Sequence, residues 1–248
     1  KIHQGADDGT YMAGGQTLLP TLKQRLASPS DIVDIAGVQE LSSINVSNEV
    51  SIGSMATHAT VASSSEVLNA IPALAHLAEG IGDPQVRNRG TIGGSVANND
   101  PAADYPAACL ALNATIKTNQ REIQADDFFT GMFETALEEG ELITSVSFPK
   151  PDTAAYMKFP NPASRYAIVG VFVAKFGADV RVAVTGAGDN GVFRAAELES
   201  ALAGSFSPSA LDNATISPDD LLSDIHAQSD YRASLIVTMA KRAVTAAS

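Results

Sequence analysis

Two short stretches bring together residue types that can hold an anion. "AGGQT" (Ala13, Gly14, Gly15, Gln16, Thr17) and "TIGGS" (Thr91, Ile92, Gly93, Gly94, Ser95) each place a glycine pair beside an apolar run of helical character. Backbone N–H groups at a helix start carry partial positive charge and lack intrahelical partners, so a glycine-rich loop entering a helix can cradle a phosphate. Glycine also lets the backbone take positive φ and approach a ligand with no Cβ in the way. Taken alone, each pair reads equally well as a turn or a helix stop. Two such loops in one domain suit a pyrophosphate, and Asp104 reads either as a helix cap or as an acceptor for ribose hydroxyls. Together they favour a dinucleotide. Within "VRNRGTIGGSVANNDPAADYP", Asn98 and Asn99 are expected to hold the loop shape, and Arg87 and Arg89 either neutralise pyrophosphate or stay solvated.

A competing signal is Gly186, Gly188 and Gly191, which spell G-x-G-x-x-G after one strand-like run. The following "LAGSFSPSALDNATIS" offers no second parallel strand and no acidic residue at a strand end, both of which a Rossmann unit requires. The histidines give no metal site. His3 and His226 lack liganding neighbours, His58 falls in "MATHATV", read as a loop, and His76 sits inside a helical run, so buried or capping roles are expected.

Composition narrows the classes further. A net charge of -12, from 16 basic and 28 acidic residues, argues against nucleic acid and against a membrane surface. The longest apolar run, Ala167 to Ala174, falls far short of the roughly 20 residues of a membrane span, so no span is expected. The single cysteine, Cys109, excludes an internal disulfide and excludes an iron–sulfur cluster held by this chain alone. The 248 residues are enough for two modest domains.

The positioning elements follow from periodicity. Leu18, Leu19, Leu22 and Leu26 share a helical face, with Thr17 as cap and Pro20 in the first turn. "DIVDI" reads as a strand and "ELSSINVSNEVSIGS" as a hairpin turning at Ser47 and Asn48. Two short helices end at Gly80 and Gly82, a helix runs from about Ala102 to Leu112 into a strand, and "ELITSVSFP" is a strand stopped by Pro149. The Pro-rich "PKPDTAAYMKFPNPASR" marks a boundary between units 1–150 and 151–248. Beyond it come strands "YAIVGVFVAKF" and "DVRVAVTG" turning at Gly177, with Val180, Val182 and Val184 alternating. Helices are expected at "FRAAELESALAG", at "SPDDLLSDI" started by Ser217 and Pro218, and at "DYRASLIVTMAKRAV".

"AGGQTLLPTLKQRLASPSDIVDI", "VRNRGTIGGSVANNDPAADYPAACLAL" and "NPASRYAIVGVFVA" resemble the FAD-binding medium subunit of the molybdenum hydroxylases, the family of aerobic carbon monoxide dehydrogenase and xanthine dehydrogenase. The resemblance runs along essentially the whole chain. It implies an α+β fold: an FAD-binding domain of the vanillyl-alcohol-oxidase (PCMH) type in two subdomains, then a carboxy-terminal domain with a small antiparallel sheet and helices, the flavin lying between them. It also implies that part of the first subdomain precedes Lys1.

By the same resemblance, Ala13, Gly14, Gly15, Gln16, Thr17 and Leu18 match one pyrophosphate loop, and Thr91, Ile92, Gly93, Gly94 and Ser95 the other. Ile81 and Leu142 match apolar flavin contacts, Asp104 a carboxylate that meets the FAD, Lys158 a flavin-facing lysine and Tyr166 a residue near the isoalloxazine. The implied activity is that of an oxidoreductase subunit in the cytoplasm that carries electrons and has no catalytic acid or base of its own. A partner small subunit would hold 2Fe–2S clusters and a partner large molybdopterin subunit the molybdenum cofactor, in a dimer of heterotrimers. Two other readings stand beside it: a self-contained flavin oxidase, and a nucleotide-binding module without redox function.

Overall fold

Period-two alternation in the middle of the chain gives strands with one buried face, and the computed structural model, which describes residues 5–247, assembles them into two antiparallel sheets. His3 lies outside the described residues. The chain opens with β1 (Gly9–Met12), a short helix α1 (Leu18–Lys23) and β2 (Asp31–Asp34), which pairs parallel with β1. A hairpin of β3 (Ile44–Val46) and β4 (Glu49–Gly53) follows, turning at Ser47 and Asn48 as expected. Four helices come next: α2 (His58–Ser63), α3 (Ser65–Ala70), α4 (Pro72–Glu79) and the single turn α5 (Pro84–Arg87).

The second glycine pair lies in α6 (Ile92–Asn98), and α7 (Tyr105–Ala111) leads to β5 (Thr115–Thr118), β6 (Glu122–Gln124) and the turn α8 (Ala125–Phe128). A small hairpin, β7 (Phe129–Gly131) with β8 (Glu134–Thr135), precedes β9 (Ile143–Pro149). The first large sheet has the order β3-β4-β9-β5-β6. Val50, Ile52, Ile116, Val146 and Phe148 on its inner face join Leu74, Leu77, Val96 and the alanines of α7 in one core.

The Pro-rich stretch expected at a boundary carries β10 (Thr153–Pro160), an edge strand of the second sheet. Its prolines bracket the strand, where a missing N–H costs no ladder bond. It pairs with β11 (Ala167–Phe176), then come β12 (Asp179–Thr185) and β13 (Phe193–Arg194). The unbroken apolar run of β11 is explained by burial on both faces. Phe172 and Ala174, with Tyr156, face the first core; Val169, Val171 and Val173 face a second core beneath α9 (Ala196–Gly204) and α10 (Ser229–Ala247).

Four expectations are corrected. "MATHATV" is not a loop: Thr57 caps α2 by accepting from the Thr60 amide, and His58 starts that helix. "SPDDLLSDI" is not a helix. Ser217 and Asp224 instead bind nearby backbone amides, of Asp219 and of His226 and Ala227, and such local bonds compete with helix formation. Thr17 makes no side-chain cap bond. The chain leaves α1 through Arg25 at φ 59°, so Leu26 lies beyond the helix and is 74% exposed. The third glycine signal is structural, as its missing partners implied. Gly186, at φ 82°, connects antiparallel β12 to β13, and a Cβ there would strike the carbonyls of Ala167 and Ile168.

Arg232 of α10 ties this region together. Buried to 2% exposure, it donates to the carbonyls of Ile168 at 2.6 Å and Gly186 at 2.7 Å and pairs with Asp224 at 2.8 Å. Arg232→Ala strips two buried carbonyls of their donor. Urea unfolding is expected to show a loss of about 3 kcal/mol or more.

Candidate cofactor site

The two glycine loops meet. A Cβ on Gly14 would collide with the Arg89 carbonyl, and Gly15 takes φ 73°, so the first loop packs backbone-to-backbone against the turn that follows α5 and leads into the second. Among the described residues, no partner takes the amides of Gly14, Gly15, Gln16 or Thr17. The first loop therefore offers free donors.

The second loop differs from the expectation of unpaired amides. Ile92 N–H donates to the Ala56 carbonyl at 3.1 Å, Gly93 N–H to Ser54 at 2.9 Å, and Gly94 N–H to the Thr91 hydroxyl at 3.1 Å. A Cβ on Gly93 would run into Ser54. The pair serves close packing of α6 against the end of β4, and Thr91 consumes a helix-start donor as N-cap.

Around the loops lies a cavity of about 600 Å³, within the size range of small-molecule sites. Ala13, Gly14, Gly15, Gln16, Thr17, Leu18, Ile81, Thr91, Gly93, Gly94, Ser95, Asp104, Leu142 and Tyr166 all line it. Ile92 does not, because its side chain is buried in the first core. Lys158 stands behind the wall. Its ammonium lies 3.0 Å from one Asp104 oxygen and 3.2 Å from the other, and donates to the Gly80 carbonyl at 2.8 Å. Asp104 occupies the N-cap position of α7 without capping it, since its carboxylate instead accepts from Lys158 and from the Tyr156 hydroxyl. Burial pushes this carboxyl above its usual range, while Lys158 and then Tyr156 pull it back.

Ser54 and His58, the latter expected to be buried or capping, both stand at the wall. Both are buried, and Ser54 Oγ and His58 Nδ1 lack partners. The Thr57–Thr60 spacing was the available signal for this helix start. Burial, and then Arg87, depress the His58 pKa from the ordinary 6.5 to about 4. Arg87 uses one guanidinium nitrogen, Nη1, to donate to the carbonyls of Ile81 at 2.9 Å and Gly82 at 3.0 Å, a turn that Arg165 also holds at 3.1 Å. Asn99, in left-handed conformation at φ 43°, anchors the loop to the β7–β8 hairpin through Gly131 and Glu134, and Asn98 lines the cavity. His76 is exposed, His226 lies beside Asn161, and the described residues contain no cluster of metal-ligating side chains.

Comparison with known proteins decides between the nucleotide classes. The family described as "FAD binding domain in molybdopterin dehydrogenase" matches residues 1–151. This chain belongs to that family. It is 36% identical to the nicotine 6-hydroxylase medium subunit of Paenarthrobacter nicotinovorans, over 97% of this chain and 90% of that one. Identity to the carbon monoxide dehydrogenase medium chain of Hydrogenophaga pseudoflava is 33%, covering 99% and 91%. The crystal structure of quinoline 2-oxidoreductase from Pseudomonas putida 86 superposes with a TM-score of 0.88 at 29% identity, covering 99% of this chain and 91% of that one.

The site of this FAD-binding domain fits such a cofactor on its own geometry. Free amides in the first loop suit a pyrophosphate, and glycines leave room beside it. No helix among the described residues is long and apolar enough to cross a membrane.

Two outcomes follow from these packed and buried groups. Gly93→Ala must move Ser54, so the cofactor-free domain is expected to lose about 1–3 kcal/mol in urea unfolding. For His58, the folded pKa lies below the unfolded one, so the unfolded chain binds more protons between them. Stability is then complete above about pH 6.5 and falls by about 3 kcal/mol as pH drops toward 4. Unfolding of wild type and His58→Leu across this window checks it: the difference between the two should vary with pH by that amount.

Proposed function

We propose that this chain is the FAD-binding electron-transfer subunit of a molybdenum-containing hydroxylase. Its partners would be a small subunit with 2Fe–2S clusters and a large molybdopterin subunit, arranged as a dimer of heterotrimers in the cytoplasm. The observation that carries the reading is the cavity where two glycine loops converge, one of them with its amides free, in a chain of this family. Bound FAD supplies exchange of electrons between one-electron clusters and an external acceptor; the protein supplies position and electrostatics.

Residues 1–150 would form the FAD-binding domain and 151–248 the carboxy-terminal domain that closes the cavity. The amides of Gly14 to Thr17 would donate to the pyrophosphate, and Ile81, Leu142 and Tyr166 would form walls for the ring system. Asp104 would accept a hydrogen bond from the ligand, with Lys158 balancing its charge. Partner clusters are required because the single cysteine, Cys109, is buried in α7 away from the cavity. A self-contained oxidase with a tethered flavin would call for a cysteine or histidine at the site; no cysteine lines it, and the histidine that does, His58, is buried.

Expression with the neighbouring subunits tests this. Denaturing the purified complex should release a yellow chromophore that chromatographs as FAD, and the chain should copurify with iron and molybdenum. A wild-type chain with no flavin and no thermal stabilisation on adding FAD would overturn the reading; a flavin-loaded chain that never associates with other subunits would favour the self-contained oxidase.

A further inference from the structure

Asp104, at the start of α7, is held by two side chains of β10. Tyr156 and Lys158 stand at alternate positions on β10, so both side chains leave the same face and reach the Asp104 carboxylate at the cavity wall. Lys158 continues to the Gly80 carbonyl, at the start of the turn that carries Ile81 into the cavity. On the neighbouring strand, a Cβ at Gly170 would collide with the Tyr156 hydroxyl. The tyrosine thus reaches Asp104 through a gap that only glycine leaves.

We propose that Tyr156 is a positioning residue for the cofactor: its hydroxyl orients Asp104 and keeps it an ionised acceptor at the wall, with Lys158 as counter-charge. The inference rests on the FAD reading above. A donor to a carboxylate favours its charged form, whereas burial favours the neutral acid. Without the Tyr156 hydroxyl, burial gains weight and Asp104 keeps its proton to higher pH. The titratable groups facing Asp104 are Tyr156 and Lys158 from β10, Tyr166 ahead of β11 with Asp100 beside it, and Tyr105 on its own helix, which His58 of α2 adjoins. Burial raises all three tyrosines, which stay neutral in the acidic range.

FAD affinity of the full chain, read by flavin fluorescence from acidic to mildly alkaline pH, tests the proposal in wild type, Y156F, D104N and the double variant. Wild-type affinity should fall as pH drops through the Asp104 titration. Y156F should move that fall upward by about one pH unit, with about tenfold weaker binding inside the window and near wild-type binding above it. On the D104N background, Y156F should move nothing, which removes any contribution of His58 or Asp100. Equal weakening at every pH, or the same shift with D104N, would mean a merely structural tyrosine and overturn the proposal. Should Y156F lose its cooperative unfolding, 3-fluorotyrosine incorporated in wild type and D104N replaces it. Its more acidic hydroxyl is a stronger donor, so the fall should move to lower pH in wild type alone, and an unmoved fall overturns the proposal. A wild-type chain that binds no FAD overturns this inference and the functional reading together, whereas an unshifted profile in a chain that does bind FAD overturns the inference only.

Discussion

Backbone-to-backbone approach at the two glycine loops is the constraint on which the site depends. Gly14 lies where a Cβ would meet the Arg89 carbonyl, and Gly93 where one would meet Ser54. These contacts bring segments remote in sequence to within backbone distance and leave the cavity between them. Because interiors are close-packed, a single added methyl there must be absorbed by moving backbone rather than a flexible side chain. The loops look alike but divide the work: one keeps its amides free, and the other spends them on Ala56, Ser54 and Thr91.

The second sheet makes the other half of the site possible. Buried on both faces, β11 belongs to two cores at once, with Phe172 turned toward α7 and its neighbours and Val171 and Val173 toward α10. That double burial fixes the height of β10 against α7, and with it the meeting of Tyr156 and Lys158 with Asp104. An exposed Lys–Asp pair contributes little because water screens it; this pair is nearly sealed, with side chains 10% and 5% exposed, so removing either partner strands a buried charge.

Charge is used sparingly at the cavity of a chain that carries a net -12. Arg87 and Arg165 each commit one guanidinium nitrogen to bracing the Gly82 turn through its carbonyl. Neutral donors are present as well: the amides of the first loop lack partners among the described residues. A His58 ring held neutral by burial is compatible with this, since a neutral imidazole retains one donor and one acceptor.

Much of the fold was legible in the residues. Alternation in "ELITSVSFP", the Ser47–Asn48 turn and the glycine stop at Gly80 are local signals whose causes lie within a few residues, so they survive folding unchanged, whereas Gly82 ends no helix and lies in the loop between α4 and α5. The two glycine loops, Asp104 and the apolar contacts could likewise be named from motif and resemblance, and all but Ile92 and Lys158 line the cavity. Tertiary structure decided the rest. Where amides go, whether Asp104 caps a helix or meets β10, whether a Pro-rich stretch becomes an edge strand, and why Gly170 is glycine all depend on atoms distant in the chain. A sequence states what each residue can bond or exclude; only packing determines which partner arrives first, and burial then makes that choice costly to reverse.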